Sequence, residues 1–210
     1  MSDYNQVHSK RFQESLRWIA PHAEKAQRIF ELGGSSAFTE LVGQRWPGKL
    51  LPEYGGDLRN GFEIYGVDLI LCQEVLEHLH DQDEPAIKTD WKASGVRELL
   101  LSCYTALNPG GILFLTTPNP CSITAIHHAL NQQPPMIYDR HTREYPPYQL
   151  DAFIQDAGFE ILTRECLDVW RNAISERDHM RIQRFIHTSG YSLDLRGEDY
   201  FCLAQKPAAK

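Results

Sequence analysis

Three short stretches of the chain carry residues able to do chemistry. In the first, ELGGSSAFTE, Gly33 and Gly34 stand between Glu31 and the serines Ser35 and Ser36. Glycine lets a backbone approach a ligand closely. The start of the helix that follows offers N–H groups to a carboxylate, and the two serines add hydroxyls. The stretch is not the dinucleotide fingerprint G-x-G-x-x-G, because Ser35, Ser36 and Ala37 stand where later glycines would fall. It reads either as an altered cofactor loop or as a plain strand-to-helix turn.

The second stretch is CQEVLEH, with Cys72, Gln73 and Glu74 directly after an apolar run. Glu74 at a helix start also complements the helix dipole, which is a purely structural reason for an acid there. Val75, Leu76 and Leu79 read as core, and His78 as a packed, hydrogen-bonded histidine rather than a catalyst. The third stretch lies between Asn119 and Tyr148 and holds His127, His128, Asp139, Arg140, His141, Arg143, Glu144 and Tyr145. Arg140 and Arg143 suit an anionic substrate group. His141 opens HTREY and suits a general base. The alternative is that HTREY only docks its segment through ion pairs and tyrosine packing. Of His127 and His128, at least one is expected to be merely exposed.

The elements that must position these residues follow from apolar spacing. Residues Lys10 to Gln27 read as an amphipathic helix interrupted by Pro21, and RIFELG as a first strand. SAFTELVGQRW is a helix capped by Ser35 or Ser36. VDLILC is continuously apolar after Asp68, as in a strand buried on both faces, and Asp68 itself reads as structural. Residues Gly95 to Leu107 form an amphipathic helix that stops at NPGG, followed by the buried strand ILFLTTP. DAFIQDAGFEILTREC reads helix, glycine stop, strand. ISERDHMRIQRFIHTSG reads as a helix with Ile182, Phe185 and Ile186 inward, and YFCLAQK as a last strand. Between residues 47 and 66 a second strand is at best short. Alternation of buried strands and helices predicts a doubly wound α/β sheet in one domain, with ligands beyond the carboxyl ends of the strands. A lid-like segment at 119–148 and an insertion at about 168–195 are expected. The insertion helix either caps the sheet, forms a homodimer face or is simply solvated.

Composition narrows the partners. The 210 residues are 42% hydrophobic and 23% charged, which suits a soluble globular domain. A formal net charge of -7 argues against nucleic acid as a partner. No apolar run approaches the ~20 residues that span a bilayer, so no membrane partner is expected. The N-terminal residues are polar, and the five cysteines are scattered without a CxxC pair. Neither a disulfide framework nor a metal site is suggested, and a cytoplasmic location is expected.

VDLILCQEVLEHL, ALNPGGILFLTTPNP and HTREYPPYQLDAFIQDAGFEI together resemble class I S-adenosylmethionine-dependent methyltransferases, over about residues 28–166. RGEDYFCLAQKP resembles the last strand of that superfamily. The resemblance implies a Rossmann-like, mostly parallel sheet of seven strands with an antiparallel last strand, and S-adenosylmethionine as cofactor. It implies that Gly33, Gly34, Ser35 and Ser36 hold the methionine and ribose end, with Glu31 orienting the loop. It implies that Cys72, Gln73 and Glu74 meet the methionine end. An acid for the ribose hydroxyls is sought in the compressed stretch after the first helix, with Asp57 the first choice and Glu53 the second. Arg140, Arg143 and Tyr145 then fall to a small-molecule acceptor, and His141 to the base an oxygen nucleophile needs. Two departures, the serine and alanine in the glycine loop and the short segment before VDLIL, motivate the alternative of an inactive, binding or regulatory methyltransferase-like protein. A nicotinamide oxidoreductase ranks below both, because its glycine fingerprint is absent.

Overall fold

In the strand VDLILC, Leu69 and Leu71 face one side while Ile70 and Cys72 face the other, and both sides are covered by apolar side chains. This two-sided burial is why the run after Asp68 is continuously apolar instead of alternating. The computed structural model describes residues 6–34, 36–79, 95–135, 141, 143–170 and 174–208. Its elements are α1 (Ser9–Ala23), β1 (Ile29–Leu32), α2 (Ala37–Arg45), β2 (Val67–Gln73), α3 (Gly95–Ala106), β3 (Leu107–Pro118), α4 (Ile123–Leu130), α5 (Pro147–Asp156), β4 (Glu160–Leu167), α6 (Glu176–Thr188) and β5 (Asp199–Gln205). Among the described residues no helix is long and apolar enough to cross a membrane.

The strands form one sheet in the order β1-β2-β3-β5-β4. β1, β2 and β3 pair in parallel, and β5 runs antiparallel between β3 and β4. One face is covered by α1 and α2 through Phe12, Ile19, Phe38 and Val42. The other is covered by α3 and α5 through Val96, Leu100, Leu150 and Ile154. The doubly wound, Rossmann-like architecture expected from the sequence is therefore present.

The expected seven strands are not. Five are present among the described residues, and the segment between α2 and β2 adds a single parallel bridge, Ile29 to Leu50. Ile29 donates to the Lys49 carbonyl at 2.9 Å and accepts from the Leu51 N–H at 2.8 Å, and pairing stops there. Pro52 follows directly and has no N–H to continue a ladder. Asp68 is structural as expected: one carboxylate oxygen accepts from the N–H groups of Gln27 and Arg28, and the other from Asn108.

Other boundaries also moved. α1 ends at Ala23, short of Gln27. After β2 the chain makes a 3₁₀ turn, Leu76–His78, where a longer helix was expected. NPGG lies inside β3 as an irregularity in its pairing with β2. In α6, Ile182 and Ile186 are buried, but Phe185 points outward at 58% exposure.

Candidate active site

β1 and β2 end side by side, with Leu32 paired to Cys72. The chain leaves β1 through Gly33 and Gly34, both with positive φ (92° and 89°). A Cβ on Gly33 would come 2.8 Å from Val75 Cγ2. The two glycines therefore answer both a backbone conformation and a close approach to the loop after β2. α2 then begins with a capping box: Thr39 N–H donates to the Ser36 hydroxyl, and Ser36 N–H donates to Thr39 Oγ1. Hydroxyls of Thr39 and Ser36 also bond the Glu31 carboxylate. Burial, partly offset by those bonds and by Arg11, pushes the Glu31 carboxyl up to about 7. Its Oε2 is buried with no hydrogen-bond partner.

Beyond β2 the backbone turns sharply at Glu74, a non-glycine residue with φ 54°. Such positions concentrate where a site fixes the chain against its preference. Glu74 is held by Thr116, whose carbonyl accepts the Glu74 N–H at 2.9 Å and whose hydroxyl donates to Oε1 at 2.8 Å. Three residues on, Glu77 is fully buried, with Oε2 accepting from Thr117 at 2.8 Å. Burial and then the charge of Glu74 push the Glu77 carboxyl well up. Asp199, buried beneath them on β5, is pushed the same way, again chiefly by burial.

A cavity of about 500 Å³ opens over these strand ends. Its floor is Glu31, Gly33, Gly34, Gln73 and Glu74, and its walls include His78, His141, Arg11 and Trp170. Both polar atoms of the Gln73 amide are buried there without a partner. Arg11 is 3% exposed, 3.8 Å from Glu74 and packed over the rings of Phe12 and Trp170. His141 Nδ1 donates to Glu144 Oε1 at 2.7 Å. That bond leaves the ring's lone pair on Nε2, which lies 4.0 Å from Glu77 Oε1. His78 stacks edge-on against His141, and burial followed by His141 lowers its pKa.

The structure thus brings together Glu31, Gly33, Gly34, Ser36, Gln73, Glu74 and His141 of the expected set. Ser35 and Arg140 lie outside the described residues. Cys72 turns into the core, where burial keeps its thiol strongly protonated. Tyr145 is likewise core, packed on Phe153. Arg143 is exposed, with its guanidinium over the Tyr145 ring and its N–H toward the Glu77 carbonyl, and it does not line the cavity. Asp57 is exposed, caps the turn Leu58–Asn60 and is ion-paired with Arg59. It too is outside the cavity lining. Glu53 reaches the loop: its Oε1 would sit 2.8 Å from a Cβ on Gly34. His78 lines the cavity and is packed edge-on against His141. His127 and His128 sit on α4, away from the cavity.

A cavity at parallel strand ends, floored by a positive-φ glycine turn and buried polar atoms, is the arrangement of a nucleoside-bearing cofactor site. Residues 5–164 match the family model described as a methyltransferase domain. The chain belongs to that family. The superfamily resemblance carried by VDLILCQEVLEHL and ALNPGGILFLTTPNP is thereby borne out. No curated protein sequence matches this methyltransferase-family chain. Among solved structures it is similar to a SAM-dependent methyltransferase from Archaeoglobus fulgidus (17% identity, 97% of this chain and 100% of that one, TM-score 0.61). It is also similar to the N-methyltransferase NodS from Bradyrhizobium japonicum in complex with S-adenosyl-L-homocysteine (14%, 98% and 90%, TM-score 0.57). A third similar structure is the [4+2]-cyclase SpnF (14%, 94% and 81%, TM-score 0.55). At these identities the likeness establishes the fold and not the substrate.

Sequence reasoning missed Arg11, Trp170 and Glu77. Arg11 was detectable: it lies on the same helical line as Ser15, Ile19 and Ala23, all buried, so it is a charge in an apolar stripe. Glu77 lies three residues after Glu74, one turn along. Trp170 follows β4 and left no local signal.

Proposed function

We propose that the chain methylates a small-molecule acceptor, binding S-adenosylmethionine over Gly33, Gly34 and Gln73 and the acceptor beside His141. The observation that carries this reading is the set of buried, partnerless polar atoms on residues that line one cavity: Glu31 Oε2, Arg11 Nε and the Gln73 amide. Such atoms are costly to bury unless a ligand pairs with them. The cofactor's ammonium, carboxylate, hydroxyls and adenine nitrogens are donors and acceptors of the matching kinds. Arg11, on the cavity wall, suits its carboxylate, and Glu53, whose carboxylate reaches Gly34, suits its ribose hydroxyls.

When bound, the cofactor supplies an electrophilic methyl group on a sulfonium sulfur, and the C–S bond breaks as the acceptor's lone pair forms the new bond. The chain's own contribution is alignment and proton handling. Glu144 fixes the His141 ring so that Nε2 faces the cavity and receives the proton of an O–H or N–H acceptor. The cavity volume suits small ligands, and the net charge of -7 disfavours a polyanionic one.

Calorimetric titration with S-adenosylmethionine and S-adenosylhomocysteine tests the reading, with Gly33→Val beside the parent. Saturable binding that the substitution removes is the expected result. A folded sample that binds neither ligand would leave an inactive binding protein instead, the reading motivated by the altered glycine loop and the short segment between α2 and β2.

A further inference from the structure

His78 and His141 on the wall of the cavity converge with the buried Glu77, with one ligand-capable atom of each within 4.8 Å of the others. Glu77 Oε1 is 3.9 Å from His78 Nε2 and 4.0 Å from His141 Nε2. Two imidazoles and one carboxylate are a familiar donor set for zinc and neighbouring first-row divalent cations. Metal–ligand bonds of about 2.0–2.1 Å imply ligand–ligand edges of roughly 3.3 Å in a tetrahedron. The two edges from Glu77 must therefore shorten by about 0.6–0.7 Å, and the edge between the histidines, which lies within 4.8 Å, by no more than about 1.5 Å. His78, whose side chain is 47% exposed, has the room to turn.

Two features separate this trio from a chance cluster. First, the Glu77 side chain is fully buried, yet Oε1 has no hydrogen-bond partner and points at the two histidines, while Thr117 pins Oε2. A buried carboxyl oxygen without a partner is costly, and a cation that displaces the carboxyl proton would answer it. Second, Glu144 holds His141 through Nδ1, the carboxylate–histidine arrangement that presents Nε2 to a metal in the correct tautomer.

We propose that Glu77, His78 and His141 bind one divalent transition cation, with zinc the best match, at the acceptor end of the cavity. Three protein ligands leave a coordination position open, as in catalytic rather than structural sites. An acceptor hydroxyl in that position loses its proton to solvent more readily, because the cation stabilises the oxyanion. The oxyanion's lone pair then forms the bond to the methyl carbon as the C–S bond breaks and its electrons return to sulfur. The inference rests on the methyl-transfer reading for this role and narrows the acceptor to an oxygen nucleophile. The lone pair of His141 Nε2 then serves the cation, and the direct proton-accepting role belongs to the metal-free protein.

The test is titration of the chelator-stripped, folded protein with Zn²⁺ by calorimetry and with Co²⁺ by visible absorption. His78→Gln, Glu77→Gln and the control His128→Gln are titrated in parallel. The expected result is one equivalent bound, weakened at least about tenfold by each trio substitution and unchanged in the control. His78→Gln alters an exposed side chain, so it remains informative if Glu77→Gln misfolds. No saturable binding, or binding indifferent to His78→Gln, overturns the proposal. Cofactor titration of the same stripped sample keeps the two readings apart. Cation binding without cofactor binding would retain the metal site and remove its methyl-transfer role. The reverse would remove the site and leave methyl transfer standing.

Discussion

Glu144 Oε1 and His141 Nδ1 lie 2.7 Å apart, both side chains buried, at the start of the segment that carries the chain from the cavity into α5. This bond sets which nitrogen of His141 faces the cavity, so its loss should be felt in chemistry before binding. Glu144→Gln keeps the shape and an acceptor oxygen but removes the charge. It should lower methyl transfer by about 10- to 100-fold and leave cofactor affinity within about twofold. Transfer of isotope-labelled methyl to an acceptor found by screening gives the rate, and calorimetry gives the affinity. Equal losses in both would assign Glu144 to scaffolding only.

Gly33→Ala should act on fold and cofactor together. Its φ of 92° disfavours any side chain, and the added Cβ meets Val75 Cγ2 at 2.8 Å. A stability loss of about 1–3 kcal/mol is expected in urea unfolding. Gly34→Ala meets only the tip of the Glu53 side chain, which can swing away, so its steric cost should be the smaller of the two.

Glu53 and Asp57 are separable by paired substitutions. Glu53→Gln should weaken S-adenosylmethionine binding by about tenfold, as expected from losing one charge-assisted hydrogen bond of roughly 1.5 kcal/mol. Asp57→Asn should leave that affinity unchanged, since Asp57 is committed to Arg59 at the surface. The reverse ranking would return the ribose contact to Asp57.

The raised Glu31 carboxyl predicts a pH dependence of stability. Between its ordinary value of 4.5 and about 7, the folded protein holds a proton that the unfolded chain has released. Unfolding then releases that proton, so this group's contribution makes stability fall as pH rises through the window and level off above it. The full span corresponds to roughly 3 kcal/mol. Urea melts of the parent and Glu31→Gln at about pH 4.5 and about pH 8 isolate the slope, since the amide cannot titrate. Parallel behaviour of the two proteins would show that Glu31 stays ionised.

The sequence by itself determined the layered architecture and one edge of the site. The unbroken apolar run in VDLIL requires cover on both faces, and the spacing of Val96, Leu99, Leu100 and Cys103 requires a helix with one buried side. Because the side-chain period of a strand is two and that of a helix 3.6, such patterns are local and can be read without coordinates. The same logic located Gly33, Gly34, Gln73 and Glu74 at strand ends, where a parallel sheet puts its ligands.

Tertiary structure alone decided what meets them there. Cys72 and Gln73 are neighbours in sequence, but strand alternation sends Cys72 into the core and leaves Gln73 at the cavity. Arg11 reaches Glu74 across 63 positions because α1 packs over β1 and β2, and Trp170 arrives from the far end of β4. His141 meets Glu77 and His78 only because the backbone after β3 returns past the end of β2, where Arg143 N–H bonds the Glu77 carbonyl. Long-range pairings of this kind have no periodic signature. They depend on how two elements far apart in the chain share one buried surface, which only the folded chain sets.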